Sequence, residues 1–216
     1  VTEMWDPWDL DHISHRESFD HPETYSFVEI SQNNHQRGET HWTNGLRQIE
    51  RLERAGNLRP VHNVKTYGST GGRHGGGTHD GIEKVVRSTL FGSAAIRFHR
   101  PTSGLGLSDT ARMAIRGLRR AIDRIDFFSA TPRSDLLKER TENEAYCRAV
   151  PGSDYLVYFP DGGRVILELA SGFSDLRIDR MHLLEGDWVR TEPSLNGRDL
   201  LLESDSRHTI YLIKTD

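Results

Sequence analysis

Short runs of β-branched and aromatic residues alternate with amphipathic helical patterns up to about residue 137. In GETHWTNGLRQIERLERAG, at 38–56, Trp42, Ile49 and Leu52 share one helical face, and a glycine follows as a stop signal. One strand and one helix together take roughly 35 residues, close to the repeating unit of a (β/α)8 barrel. This alternation predicts parallel strands joined by crossover helices. Strands are expected at 1–5, 25–31, 59–67 and 93–100, and helices at 38–56, 80–90 and 108–125.

Beyond about residue 141 the period of the pattern falls to two, and turn signals such as Asn196-Gly197 separate the apolar runs. Seven short strands without a helical stretch predict a small antiparallel β-sandwich. We therefore expect two domains, an α/β domain at 1–140 that forms a partial (β/α)8 (TIM-like) barrel or a small open α/β sheet, and an all-β sandwich at 141–216. The seven runs are AYCRAV, DYLVYFP, RVILELA, DLRIDRMHL, DWVRTE, DLLLES and HTIYLIKTD.

The run YSFVEIS, at 25–31, carries a glutamate in its apolar part. In a parallel barrel, alternate residues face the helices and the interior. If Val28 and Ile30 face the helices, Glu29 faces inward together with Phe27 and Ser31.

The same alternation on the next two strands directs other charged residues inward. If Val64 faces the helices, then Asn63, Lys65 and Tyr67 face the interior, and Arg97 and His99 do so on the last strand. A buried charge is tolerated only when it is paired, so Glu29, Lys65 and Arg97 are expected to lie together. Two interpretations remain open, a polar site at the carboxyl ends of the strands and a purely structural ion network.

Composition and charge narrow the function classes. The chain is 35% hydrophobic and 28% charged with a formal net charge of −4, so no overall positive field attracts nucleic acid. No apolar run reaches a membrane-spanning length, and no membrane partner is expected. Cys147 is the single cysteine, which excludes an internal disulfide and is compatible with the cytoplasm or with export. Because the first residue is valine, we expect the N terminus to be a processing boundary.

Three further features have both a functional and a structural interpretation. His12, His15 and His21 are close in sequence, but the segment has the pattern of a loop and no metal-binding signature, so no metal is expected. The glycine-rich GSTGGRHGGGTHDG, at 68–81, follows a strand and precedes a helix, as phosphate-binding loops do, yet it lacks the P-loop ending, so a loop over the barrel mouth is the favoured interpretation. Trp5 and Trp8 beside acidic residues suit stacking on sugar rings or packing in a core.

Several of these segments resemble the second half of a bacterial glycoside-hydrolase-like barrel of the apiosidase-like and cellulase-like type. The resemblance rests on VTEMWDPWDL, FVEISQNNHQ, RPVHNVKTYG, IRFHRP and SGLGLS. In the tail, DYLVYFPDGGRVILEL resembles the β-sandwich that follows such barrels and is labelled the collagen-binding domain of a collagenase. The resemblance implies that strands five to eight of the barrel are present, and that the protein is bacterial, exported to the periplasm or secreted, and engaged in carbohydrate metabolism.

The resemblance also implies a site. In such enzymes the acid/base carboxylate lies at the end of strand four, which this sequence does not contain. Lys65 and Tyr67 occupy the region where the nucleophile is expected. Glycoside cleavage needs two carboxylates, and the candidates for catalysis are Glu3, Asp6 and Glu29. The candidate substrate-binding residues are Trp5, Asn33, Asn34, His35, Lys65, Tyr67, Arg97 and His99.

Two main functions follow from these residues. The first is hydrolysis of O-glycosyl bonds without a cofactor, with a carbohydrate as substrate. The second is the function of a non-catalytic glycan- or protein-binding module. A third, lesser alternative is a phosphate-binding barrel that uses the glycine loop. Four strands leave open sheet edges, so the expected partner is a missing N-terminal half-barrel or a second copy of the chain.

Overall fold

The computed structural model describes residues 9–30, 36–68, 77–99, 107–171 and 173–215, without the side chains of 64, 65, 67, 97 and 99. The chain divides into two compact units, Val1–Ser108 and Asp109–Asp216. Within the described ranges, no helix is both long and apolar enough to span a membrane.

The first unit is a parallel sheet with helical connections. Strand β1 (Val28–Glu29) pairs with β2 (Val61–Tyr67), and β2 pairs with β3 (Ala95–His99), both in parallel, so the sheet order follows the chain order. This confirms the parallel, helix-connected arrangement that the spacing predicts. Its elements are α1 (Ile13–Asp20), β1 (Val28–Glu29), α2 (Gly38–Arg54), β2 (Val61–Tyr67), α3 (Gly77–Phe91) and β3 (Ala95–His99).

Apolar packing joins α2 to α3. Trp42 is buried and meets the Phe91 ring edge-on, with 6.2 Å between ring centroids. A Cβ on Gly45 would lie 2.6 Å from the Phe91 ring, so only glycine allows this close approach. Helix α3 begins at Gly77, three residues before the expected start, and Asp80 therefore lies in its first turn rather than capping it.

The segment that holds the N-terminal histidines is a helix, and its prediction as a loop is wrong. The His12 side chain caps α1 by accepting a hydrogen bond from the Ser14 backbone N–H at 3.2 Å. His15 is buried, and His21 contacts Glu23 at 3.0 Å. The three histidines thus have separate surroundings.

In its described residues the second unit contains one α-helix, a short 3-10 helix at Ser134–Leu136 and two antiparallel sheets, ordered β10-β9-β13-β7-β6-β4 and β11-β12-β8-β5. A strand occupies each of the seven predicted positions, and three short ones, β4, β5 and β11, were not expected. The elements are α4 (Asp109–Ile122), β4 (Thr131–Pro132), β5 (Leu137–Lys138), β6 (Tyr146–Val150), β7 (Asp154–Phe159), β8 (Gly163–Glu168), β9 (Leu176–His182), β10 (Trp188–Arg190), β11 (Ser194–Asn196), β12 (Asp199–Ser204) and β13 (Thr209–Thr215).

One buried apolar cluster receives side chains from both antiparallel sheets. Tyr155, Val157 and Phe159 contribute from alternate positions of β7, while Val165 and Leu167 contribute from β8. This alternation is what period-two patterning requires of strands with one face in a core. Cys147 lies in the same cluster, and burial raises the pKa of its thiol well above its usual value, so the thiol stays protonated.

Helix α4 contacts other segments of the second unit, although its sequence precedes the expected domain boundary. A Cβ on Gly117 would lie 2.2 Å from the backbone oxygen of Leu183, so helix and chain touch there. The Arg120 guanidinium donates to the backbone oxygen of Gly186 at 2.6 Å. The helix ends at Ile122, short of the expected Ile125, and Ile115 is 36% exposed rather than part of the buried face.

Candidate functional site

The two faces of the parallel sheet have different chemistry. Asn63 of β2 hydrogen-bonds to the His41 ring of α2, with 3.1 Å between Nδ2 and Nε2, so this side chain faces the helices. Its predicted inward orientation is wrong. The register of β2 against β3 shifts between Asn63 and Thr66, and an irregularity of this kind breaks the alternation that the sequence pattern assumes.

The face opposite the helices carries Phe27, Glu29 and His62. Glu29 and His62 are register partners on adjacent parallel strands, so their side chains project to the same side. The Phe27 and His62 rings meet edge-on with 4.4 Å between centroids. We call these three residues the interior face, because in a barrel this side would line the interior.

The interior face places an acid beside a neutral base. Glu29 is 3% exposed, and it is the one acidic residue in the three strands of the sheet. His62 is half-buried, and burial lowers the pKa of its imidazole, which is therefore uncharged at neutral pH. Its Nε2 atom is buried and makes no hydrogen bond to any described residue. A neutral imidazole can accept or donate one hydrogen bond at this atom, as a hydroxyl-rich ligand requires.

Most of the predicted site lies outside the described residues. That is so for Glu3, Trp5, Asp6, Asn33, Asn34 and His35 entirely, and for the side chains of Lys65, Tyr67, Arg97 and His99. The backbones of Tyr67 and His99 are register partners, so β2 and β3 end at the same level. The grouping of Glu29 with Lys65 and Arg97 stays a prediction, and so does phosphate binding by the glycine loop.

His62 is the functional candidate that the sequence prediction missed. The run VHNVKTY contains Val61 and Val64, which cannot both face the helices in a regular strand. Choosing Val64 placed His62 outward, whereas the structure pairs Val61 with Val28 on the helix side. Val61 is the better indicator of which face of β2 lies against the helices, because it precedes the irregularity in the strand.

A second polar group lies between α2, α3 and β2, and we call it the interhelical cluster: His41, Asn63, Lys84, Arg87 and Ser88. Ser88 Oγ lies 3.4 Å from His41 Nε2. Burial lowers the pKa of His41 well below its ordinary value, and the charges of Arg87 and Lys84 lower it further. His41 therefore joins two helices and a strand as a neutral hydrogen-bonding residue.

Lys84 is the ionisable member of this cluster. Burial lowers its pKa from 10.5 to about 7, and repulsion from Arg87 and Arg37 acts in the same direction, while Asp80 acts against it. Arg87 is 1% exposed and contacts Glu83 at 3.0 Å, and Arg37 contacts Asp80 at 3.1 Å. The cluster lies on the helix side of the sheet, so we assign it to the stability of the unit.

Metal binding has no support in the part of the chain that the structure describes. No three or more histidine, cysteine, aspartate or glutamate side chains there converge as metal ligands.

Comparison with known proteins identifies the fold. No protein-family model matches the chain, and no curated protein matches it. A family 5 glycoside hydrolase from Bacteroides vulgatus superposes with a TM-score of 0.68 at 15% identity, covering 90% of this chain and 52% of its own. Another glycoside hydrolase superposes with a TM-score of 0.61 at 14% identity, and the match covers 81% of this chain and 46% of that one. A family 39 glycoside hydrolase from Bacteroides cellulosilyticus superposes with a TM-score of 0.52 at 11% identity, and the match covers 92% of this chain and 46% of that one.

These comparisons define a class. The chain has a mixed α/β fold of the glycoside-hydrolase type, as its resemblance to such barrels suggested. It spans about half the length of the structures it resembles.

Proposed function

We propose that this protein is the C-terminal half of a glycoside-hydrolase-like (β/α)8 barrel followed by a β-sandwich, and that it acts on carbohydrate. The observation that carries the proposal is the interior face, where Glu29 and the neutral His62 lie side by side on adjacent parallel strands. The fold likeness to glycoside hydrolases supports it. The two sheets with a common core support the sandwich, and its likeness to a collagen-binding domain is part of the proposal.

The proposed reaction is hydrolysis of an O-glycosyl bond. Such hydrolysis uses two carboxyl groups about 5–9.5 Å apart, one to protonate the leaving oxygen and one to act as nucleophile or base. Glu29 is proposed as one of them, and Glu3 or Asp6 as the other. We propose that Trp5, Asn33, Asn34, His35, Lys65, Tyr67, Arg97 and His99 bind the sugar and that no cofactor takes part.

A non-catalytic glycan-binding module is the second candidate. It is favoured by one observation, that the strands of the parallel sheet carry a single carboxylate and that this carboxylate is 3% exposed. A buried acid cannot protonate a substrate without a change in its surroundings. In this case Glu29 would stabilise the binding site and would not take part in a reaction.

Hydrolysis and binding measured together separate the two candidates. The wild type, Glu29→Gln and the matched control Glu50→Gln are incubated with β-glucan and xylan, and reducing ends are counted beside polysaccharide retention and thermal unfolding. Glu50 is an exposed helix residue paired with Arg54. An enzyme loses turnover in Glu29→Gln alone, whereas a binding module releases no reducing ends in any variant and still retains polysaccharide. Neither turnover nor retention in the wild type would refute the proposed function.

The proposed partner is a complementary half-barrel, supplied by an N-terminal segment or by a second copy. In the part of the chain described here, β3 is an edge strand of the parallel sheet, and its Ala95 is exposed. An open strand edge with exposed apolar residues is normally paired or covered. Export of the protein is proposed from the resemblance alone. Sedimentation equilibrium of the 216-residue chain should show concentration-dependent dimers, and a monomer at every concentration would exclude the second copy.

A further inference from the structure

Three arginines converge on one carboxylate in the second unit. Asp179 of β9 is buried, with 5% of its side chain exposed. It accepts hydrogen bonds from Arg124 at 2.6 Å, Arg177 at 3.1 Å and Arg190 at 2.9 Å. Strand pairing explains the convergence, because Arg190 is the register partner of Asp179 and Arg177 lies two positions before it on the same strand face.

The group carries surplus positive charge. Burial acts to raise the pKa of Asp179, but the Arg124 hydrogen bond and the charges of all three arginines outweigh this and lower it, so the carboxylate is ionised. One carboxylate among three guanidinium groups leaves two positive charges uncompensated. Arg177 and Arg190 are 49% and 53% exposed, and neither makes a second ion pair with any described residue. Their remaining N–H groups are therefore available to an external acceptor.

An aromatic ring borders these charges. Trp188 lies two residues before Arg190 on β10, hence on the same face, and the Arg124 guanidinium lies 4.7 Å from its ring centroid. Indole rings stack on the apolar faces of sugars, and guanidinium groups bind carboxylate or sulfate oxygens through two parallel hydrogen bonds. We call Arg124, Arg177, Trp188 and Arg190 the arginine–tryptophan patch.

We propose that the arginine–tryptophan patch binds an anionic polysaccharide, with Arg177 and Arg190 holding its carboxylate or sulfate groups. Arg124 and Asp179 position the two exposed arginines, and Trp188 supplies the apolar surface. The choice of a sugar polymer over other polyanions rests on the proposed carbohydrate function. The patch itself is separate from the interior face in residues and in chemistry.

Affinity electrophoresis of the whole chain tests the proposal. The gels contain polygalacturonate, dextran sulfate, neutral dextran or polyglutamate. The variant is Arg177→Ala/Arg190→Ala, and the matched control is Arg164→Ala/Arg207→Ala, which removes two exposed arginines that each face one acid, Glu203 at 3.2 Å and Asp161 at 2.8 Å. Thermal unfolding of both variants verifies that they are folded.

The expected result is retardation by at least one of the two anionic polysaccharides and weaker retardation by polyglutamate. The patch variant should bind at least roughly tenfold more weakly while the control keeps wild-type binding, since a charged hydrogen bond contributes about this factor. Comparison of the two polysaccharides distinguishes carboxylate from sulfate. The proposal is overturned if neither binds, if polyglutamate binds equally well, or if both variants lose binding alike. None of these outcomes bears on hydrolysis or on binding of neutral glycans through Glu29, so the two proposals fail separately.

Discussion

At the scale of the residue, the first unit keeps two sets of buried polar groups on opposite sides of one sheet. Glu29 and His62 lie on the interior face, and His41 with Lys84 lies among the helices. Burial makes a neutral base of each of these histidines, but His62 is only partly buried and lies opposite the helices, whereas His41 is fully buried among them. The position of each histidine relative to the sheet is our ground for assigning His41 to stability and for proposing His62 for ligand binding.

Lys84 should make stability depend on pH in the alkaline range. Its pKa is about 7 in the folded chain and about 10.5 when exposed, so between these values the unfolded chain binds a proton that the folded chain does not. The free energy of unfolding therefore rises with pH across this window, by up to about 1.4 kcal/mol per pH unit. Lys84→Met should flatten this rise in denaturant titrations between pH 7 and pH 9.5.

Lys138→Met is the control for this measurement. Asp199 and Glu168 raise the pKa of Lys138, so folded and unfolded chains both keep its proton over the same pH range. The control should show the wild-type slope. Equal slopes in the wild type and in Lys84→Met would show that Lys84 is not buried as described.

At the scale of the element, sequence pattern predicted most of the described helices and strands, but not α1, three short antiparallel strands or the irregularity in β2. The 3.6-residue and 2-residue periods locate α2, α4 and the seven predicted antiparallel strands within a few residues. The irregularity in β2 depends on its pairing with β3, which no local pattern encodes. For this reason the sequence pattern assigns Asn63 to the wrong face and does not reveal His62. Helix α1 was missed because its apolar periodicity is weak, with only His15, Ser18 and Phe19 buried.

The hydrogen bond between Asn63 and His41 should stabilise the first unit. Both side chains are fully buried, so Asn63→Ala removes a buried hydrogen bond of the imidazole, at a cost of about 1–3 kcal/mol in the free energy of unfolding. Asn57→Ala is the matched control, since the structure shows no hydrogen bond from that side chain to any described residue, and it should change stability by less than about 0.5 kcal/mol. Equal effects in urea unfolding would rule out a structural role for the interhelical cluster.

Gly117 should be required for the packing of α4. Alanine has the higher helix propensity, by about 1 kcal/mol. Its Cβ would nevertheless lie 2.2 Å from the Leu183 backbone oxygen, and overpacking against backbone costs more than this gain. Gly117→Ala should lower the melting temperature, whereas Arg116→Ala, at an exposed position of the same helix, should leave it nearly unchanged. A more stable Gly117→Ala protein would contradict the contact.

At the scale of the whole molecule, the resemblance and the period analysis together led to the glycoside-hydrolase-type fold, which the structural comparisons support. The site was less predictable. Its residues come from segments that are distant in sequence, and only the pairing of strands shows that Glu29 faces His62. The division at 1–140 and 141–216 stays a prediction, while compactness places α4 with the β-rich part.

The central claim is that the interior face contacts carbohydrate, and the ring signals of His62 test it most directly. Histidine-ring NMR spectra of the chain are recorded during titration with cellohexaose and xylohexaose, with His62→Ala to assign the signal. The account predicts that one of these sugars shifts the His62 signal saturably, while the exposed His21 and the fully buried His41 stay unchanged. If neither sugar moves His62, or if all three histidines move together, the interior face is not the site.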